Sequence, residues 1–506
     1  MRSVYLTSDH QEFRRQTRRF LEQEVAPQAE AWEAAGAIPR DIFRRMGELG
    51  LLGILFPEEY GGSAGDIFFA MVFLEELPRS RMGGFCAAVA VQQFMATAHI
   101  YKHGSEELKQ NYLVPSITGE KVGALAITEP DTGSDVAAIR SKAVRQGDHW
   151  LINGAKTFIT NGADGHFYTL ACKTQPQAGA AGISLIVVDR DAPGVSVARR
   201  LKKMGWYSSD TAELAFTDVR VPAGRLVGQE NMGFYYIMDA FALERLSGAA
   251  MAVGSAQLCL EETLAYMRQR TAFGRPLTRF QVLSHRLADM ATELEAARQL
   301  TYHAAWLMAQ GHACTSECSM AKLYTSELAK RVTDACLQAF GGFGFMEEYP
   351  MARFNRDARV GTIVGGTSEI MREIISRLMI GESQPAAAQQ SQGQAAAAGG
   401  AAALMRSLPG LFRPQAVPGW SAVFHFELAG AAPDKWTLSV REGSCSVAEG
   451  HAGQADCRVE MSAATLEGLA AGSLDPQAAF MAGTVKVSDL SQMLNYLKAF
   501  RLGNSK

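Results

Sequence analysis

Apolar residues recur at helical spacing at both ends of the first 380 positions, with β-type runs between them. Phe13, Phe20, Leu21 and Val25 mark one face of a first helix. Pro39-Arg40-Asp41 opens a second, and Phe68 to Leu77 carries a third. From 120 to about 225 the pattern changes to short runs (WLING, TFIT, HFYTLACK, GISLIVVDR) set off by Gly and Asn, which predict strands. From Met232 to Met379 long helices return, and Val282, Leu283, Leu287, Met290, Leu294 and Ala297 draw one apolar stripe. This order divides the chain into helical residues 1–118, a β domain at 119–228 and helical residues 229–382.

A tether is expected at 383–403, where Ser383-Gln384-Pro385 leads into an Ala- and Gly-rich stretch without a charge. As a coil it would span about 25 Å. Residues 404–506 then read as a separate α/β unit. Val423–Leu428, Trp436–Val440 and Cys457–Met461 predict strands. Ser462, Asp475-Pro476 and the Asp489/Gln492 pair predict helix starts.

At 506 residues, several domains are the default. A hydrophobic fraction of 47% and a charged fraction of 20% are those of a globular protein, and a net charge of −3 gives no reason to expect nucleic acid. No run has the length of a membrane span. Arg14, Arg15, Arg18 and Arg19 alternate with acids, as on a solvated helix face rather than a transit peptide. The eight cysteines form no CxxC pair, so buried thiols in a reducing, cytoplasmic compartment are expected. His312, Cys314 and Cys318 lack a second pair that would complete a metal site.

Six strings in fixed order carry the chemistry: PEEYGG (57–62), ITEPDTGSD (127–135), NGAKTFITNG (153–162), SSDTAELAFTDVRVP (208–222), RTAFGRPLTRFQ (270–281) and QAFGGFGF (338–345). With RFNRDARVGTIVGGTSEIMREIISR (353–377), they resemble the acyl-CoA dehydrogenase family over nearly all of residues 5–382. The resemblance implies a helical bundle, a central β-barrel and a C-terminal four-helix bundle, with FAD as cofactor. SLDPQAAFMAGTVKVSD (473–489) is similar to the sterol-carrier-protein-2 family. It implies an α/β lipid-binding module, although Thr484 and Ser488 stand where that family has lysine and glycine.

By the same resemblance, Leu125, Ile127, Thr128, Gly133 and Ser134 would face the isoalloxazine side. Phe158, Ile159 and Thr160 would lie against the ring. Phe158 stands where the family often has tryptophan. Arg270 and Gln281 would reach the FAD of a neighbouring subunit, and Phe273, in the same string as Arg270, is a further cofactor-binding candidate. Gln338, Gly341 and Gly342 would form a loop that lets backbone approach the cofactor, and Thr367, Ser368 and Glu369 would meet its adenosine end. Read without the family, most of these residues are turn formers, caps and a helix stop.

Many family members carry the base that removes the substrate α-proton at the position of Gly365. This chain has no carboxylate there. Ala242-Leu243-Glu244-Arg245-Leu246 matches the isovaleryl- and long-chain branches, whose base sits on a different helix, so Glu244 is the expected base. Burial should raise its pKa toward neutrality. Ser134, Tyr235, Arg245, Gly365 and Gly366 would contact the thioester or pantetheine. The expected reaction forms a trans-2-enoyl-CoA from an acyl-CoA, with an electron-transferring flavoprotein as acceptor and a homo-oligomer, dimer or tetramer, as the working unit.

Three other readings stand beside this one. Gly61-Gly62-Ser63-Ala64-Gly65 formally matches the GxSxG of a serine hydrolase, although Pro57 to Tyr60 separate it from the preceding apolar run. The absent carboxylate at 365 favours a non-catalytic lipid-binding scaffold. An acyl-CoA oxidase would use the same fold and flavin.

Overall fold

The computed structural model describes residues 4–380, 400–471, 474, 479 and 483–500. The chain divides into two compact units, Met1–Arg372 and Glu373–Lys506.

In the first unit the helix Ser8–Phe20 runs on through a wider turn at Leu21–Val25, burying Phe20, Leu21 and Val25 as their spacing requires. The helix Asp41–Glu48 follows Pro39. Ile67–Glu76 starts at Asp66, whose carboxylate accepts from the amides of Phe68 and Phe69. Ile67–Glu76 packs tightly against the 37-residue helix Gly233–Gln269: a Cβ at Gly254 would lie 1.9 Å from the Glu75 carbonyl. Glu75 itself is buried and held by Arg14, Arg298 and Tyr302, so its charge is neutralised by residues from two other helices.

The central strands are β1 Gly123–Ala126, β2 Lys142–Gln146, β3 His149–Thr160, β4 Phe167–Lys173, β5 Ile183–Asp189, β6 Val195–Arg200 and β7 Thr211–Pro222. They form one mixed sheet in the order β1-β4-β2-β3-β7-β6, with β5 also on β4, around an apolar interior that includes Trp150, Tyr168 and Phe216. WLING and TFIT, separate runs in the sequence reading, lie on the single strand β3. The Gly between them does not turn the chain. The register against β7 shifts there and again between Lys156 and Ile159, so the strand bulges and continues.

The C-terminal helices Gly233–Gln269, Gln281–Ala309 and Thr315–Phe340 share a core with the shorter Pro350–Arg359. A helix Ser368–Ile380 follows. Along the predicted stripe Met290, Leu294 and Ala297 are buried, while Val282 is 68% exposed, so the first turns of that helix leave their apolar face open.

The second unit holds β8 Ala422–Ala429, β9 Lys435–Arg441, β10 Ser444–Glu449, β11 Cys457–Ser462 and β12 Val485–Val487, ordered β10-β9-β8-β11-β12. Its core gathers Phe424, Phe426, Trp436, Tyr496 and Phe500. Ser462 caps Ala463–Ala470 and Asp489 caps Leu490–Ala499 as read from sequence, whereas Asp475-Pro476 lies outside the described residues. The strand Ser444–Glu449 was not anticipated. The helix Ala401–Leu411 begins inside the stretch read as tether, because Glu467 accepts from the Ala401 amide at its otherwise unpaired N-terminus.

Candidate functional site

The helix Gly233–Gln269 brings Glu244 to a cavity that it shares with Arg245, Thr160, Lys322, Val364 and Gly365. Glu244 is 9% exposed, and its Oε1 is buried without a hydrogen-bond partner. Burial raises its pKa from the ordinary 4.5 to about 7, against a small opposing effect of Arg245. Arg245 is buried as well. Its NH1 donates weakly to Ser319 Oγ at 3.5 Å, its guanidinium lies 5.5 Å from the Phe241 ring, and its Nε has no partner. A carboxyl able to take up or release a proton near neutral pH, beside an incompletely satisfied cation, is a site prepared for a polar ligand.

Gly365 and Gly366 have φ of +65° and +91°, a left-handed pair that a residue with a Cβ adopts at a cost. A Cβ built on Gly365 meets nothing within 4 Å. The loop therefore leaves open space where a side chain could stand. Lys322, which the sequence reading passed over, donates from Nζ to the Gly366 carbonyl, and burial lowers its pKa to about 8. Asp357, also unanticipated, lines the same cavity. It accepts from the amides of Gly83 (2.9 Å) and Trp206 (2.6 Å), tying the N-terminal helices and the β domain to the C-terminal bundle. Lys322 sits in an ordinary helical pattern, and Asp357, although inside the string 353–377, carried no signal of its own role.

The expected cofactor residues fall into three places. Near the main cavity, Phe158 stands out of the sheet at φ +58° and 67% exposure. Ile159 is buried, and Thr160 lines the cavity. The ITEPDTGSD loop carrying Ile127, Thr128, Gly133 and Ser134 follows β1, on which Leu125 lies. A buried pair holds the loop: Lys156 Nζ donates to the Ile127 carbonyl and to Glu129, both at 2.8 Å. A second group, Arg270, Gln338, Gly341 and Gly342, lines a separate groove, with Phe273 96% exposed and Gln281 exposed at the next helix start. The third, Thr367 and Glu369, lines a polar recess with Arg331 and Arg359. There Thr367 also caps its helix by accepting from the Ile370 amide. Tyr235 is half-buried on the Glu244 helix, and neither it nor Ser134 lines the main cavity.

These residues fit a flavin. Phe158 offers an exposed aromatic ring two residues before Thr160 on β3, and no Cβ would meet an obstacle at Gly341, Gly342 or Gly365. The hydrolase alternative has no elbow. Ser63 follows a short turn, Glu58–Tyr60, rather than a strand, and its hydroxyl donates to the Gly50 carbonyl. Cys314 and Cys318 pack sulfur to sulfur at 3.5 Å, all eight cysteines are free, and no metal-binding cluster occurs among the described residues. Nor, among them, is any helix long and apolar enough to cross a membrane.

Comparison with known proteins gives the same class. The acyl-CoA dehydrogenase N-terminal, middle and C-terminal domain models match residues 7–120, 124–219 and 231–380, and the SCP-2 sterol transfer family model matches 410–496. An acyl-CoA dehydrogenase of Bacillus subtilis is 38% identical over 75% of this chain and 100% of its own. The crystal structure of an acyl-CoA dehydrogenase from Geobacillus kaustophilus is 42% identical, with a TM-score of 0.72 over 75% of this chain and all of that one. A glutaryl-CoA dehydrogenase from Mycobacterium smegmatis, solved in complex with FADH2, is 28% identical with a TM-score of 0.71, covering 75% of this chain and 96% of its own. The chain belongs to the acyl-CoA dehydrogenase family, oxidoreductases that act on CH–CH groups. It carries a C-terminal SCP2 domain in addition.

Proposed function

We propose that this protein is an FAD-dependent dehydrogenase that converts an acyl-CoA thioester to its trans-2-enoyl-CoA, with Glu244 as the base. The observation that carries this reading is the Glu244 carboxyl, buried, partnerless and poised near pH 7 in the cavity that Gly365 leaves open. An α-proton next to a thioester is weakly acidic, so a carboxylate removes it only when the base is desolvated and the developing enolate oxygen meets donors. Glu244 meets the first condition. The backbone amides of the Gly365-Gly366 turn, held through Lys322, are the donors for the second.

Bound FAD would supply the acceptor for the hydride that leaves the β-carbon. Phe158, Ile159 and Thr160, with Leu125, Ile127, Thr128, Gly133 and Ser134, would hold its ring side, and Thr367 and Glu369 its adenosine end. Arg270, Phe273, Gln281, Gln338, Gly341 and Gly342 would serve the cofactor of a second copy. The exposure of Phe273 and Val282 supports such a homo-oligomer, dimer or tetramer. Ser134, Tyr235, Arg245 and Gly366 would contact the thioester and pantetheine. An electron-transferring flavoprotein would take the electrons, and the SCP2 domain would bind lipid or acyl chain. Adding acyl-CoA anaerobically to the flavin-loaded protein tests the reading. It should bleach the flavin and yield one enoyl-CoA per flavin. Loaded protein that stays yellow with every acyl-CoA would overturn it.

A further inference from the structure

Asp357 meets the other two domains of its unit at one point. Its carboxylate is 9% exposed and accepts from two amides on separate oxygens, Gly83 on Oδ2 at 2.9 Å and Trp206 on Oδ1 at 2.6 Å. Gly83 begins the helix Gly83–Val91, whose own N-cap residue, Met82, makes no side-chain bond. A carboxylate from a distant helix therefore caps it. Glycines make this fit possible. A Cβ at Gly205 would stand 2.6 Å from the Asp357 carboxylate, and one at Gly84 would stand 2.5 Å from the Ser208 hydroxyl.

Trp206 itself has φ +57°, a left-handed conformation unfavourable for a residue with a Cβ. Its loop is pinned from more than one side. Besides Asp357, Glu33 accepts from the Ser208 amide at 2.9 Å, and Lys203 Nζ donates to the Ser209 carbonyl at 2.6 Å. Backbone strain persists only where the surroundings overdetermine it, and it gathers where geometry serves function.

The segments that meet at Asp357 lead to opposite sides of the reaction. Beyond Trp206 the loop enters β7 at Thr211, which pairs with Thr160, proposed above to hold the flavin ring. Beyond Asp357 the helix Pro350–Arg359 ends and the chain reaches the Gly365-Gly366 turn, proposed above to meet the thioester. Trp206, Thr160, Asp357 and Gly365 all line the cavity that holds Glu244.

We propose that Asp357 is a positioning residue for hydride transfer, which fixes the spacing between the flavin side and the thioester turn by holding the Trp206 loop. This rests on the dehydrogenase reading above. Transfer requires the reacting atoms to approach to about 3–3.5 Å, and a misplacement of about 1 Å costs roughly 100-fold. A carboxylate suits the task because each oxygen serves one amide. Asn has the same volume but would turn its NH2 toward one of the two donors.

The test is anaerobic single-turnover flavin reduction in the full-length, flavin-loaded protein, with an acyl-CoA that bleaches the wild type. Asp357→Asn breaks the contact from one side. Gly205→Ala leaves Asp357 intact and pushes the loop away from it. Both variants should lower the limiting reduction rate per bound flavin roughly tenfold or more. The acyl-CoA concentration that gives half the limiting rate should change by less than about twofold. The double variant should lose little more than either single one, because both break the same contact. A fall in Tm or flavin content with an unchanged rate per bound flavin would make Asp357 a structural clamp only and overturn the proposal. So would weaker acyl-CoA binding at an unchanged limiting rate. Additive losses in the double variant would overturn the route through the loop. Wild-type protein that no acyl-CoA bleaches would instead remove the reading on which the proposal stands.

Discussion

Glu244 and Gly365 line one cavity from two elements separated by about 120 residues: a carboxyl without a partner on one, and open space on the other. In this arrangement the proposed base and the turn that would polarise the thioester come from different parts of the chain.

Glu244→Gln keeps the shape of the side chain and removes its basicity. The variant should retain FAD and bind acyl-CoA, while kcat falls by roughly 10³-fold, within the range for loss of a positioned base. Flavin absorbance and single-turnover reduction measure the two separately.

Transferring the base should work in part. In Glu244→Gly with Gly365→Glu, the new side chain enters unoccupied space. However, a non-glycine residue at φ +65° costs about 1–2 kcal/mol. We expect activity at least tenfold above Glu244→Gly alone, yet below wild type. Equal rates for the single and double variants would mean that position 365 does not reach the substrate.

Two pH effects follow from the Glu244 pKa of about 7. The proton-transfer rate should fall as pH drops below about 7, because the base becomes protonated. Stability runs the other way. The folded pKa lies above the unfolded one, so the neutral carboxyl's contribution is full below about pH 4.5 and is lost as pH rises through about 7. The limit is about 3 kcal/mol. Glu244→Gln should therefore raise Tm over wild type at pH 8 more than at pH 5. Asp357, raised to about 6 by burial, leaves a residual slope of the same sign in both proteins.

Lys322→Met should release the Gly366 carbonyl while filling a similar volume. Loss of a hydrogen bond from a charged donor is worth about 1.5–3 kcal/mol. We expect kcat/KM to fall ten- to a hundredfold with flavin content retained. Lys322→Arg should recover part of the loss.

Removal of residues 383–506 tests whether the C-terminal domain supplies acyl chains. KM should rise more for 16-carbon than for 4-carbon substrates, as read from initial rates. An equal change at both lengths would argue for a domain with a separate task.

Much of the architecture was legible in the chain because local patterns dictate local structure. The spacing of Phe20, Leu21 and Val25 predicted a buried helical face, and Ser462 and Asp489 predicted helix starts through backbone amides that must be capped. The motif order pointed to the family, and Gly365 to a displaced base. Lys322 and Asp357 were not legible. Each acts on backbone groups far away in sequence, Gly366 in one case, Gly83 and Trp206 in the other. Nor could spacing show that WLING and TFIT share one strand, since a bulge and a turn both use Gly and Asn.

The sequence by itself determined most of the helical and extended segments, which residue types are available for proton transfer, and that position 365 has no side chain. Tertiary structure alone decided that Glu244 Oε1 is buried without a hydrogen-bond partner, and that Glu244 and Gly365 line one cavity. Desolvation and open volume are properties of how separate segments pack, and such contacts leave no pattern in the residues nearby.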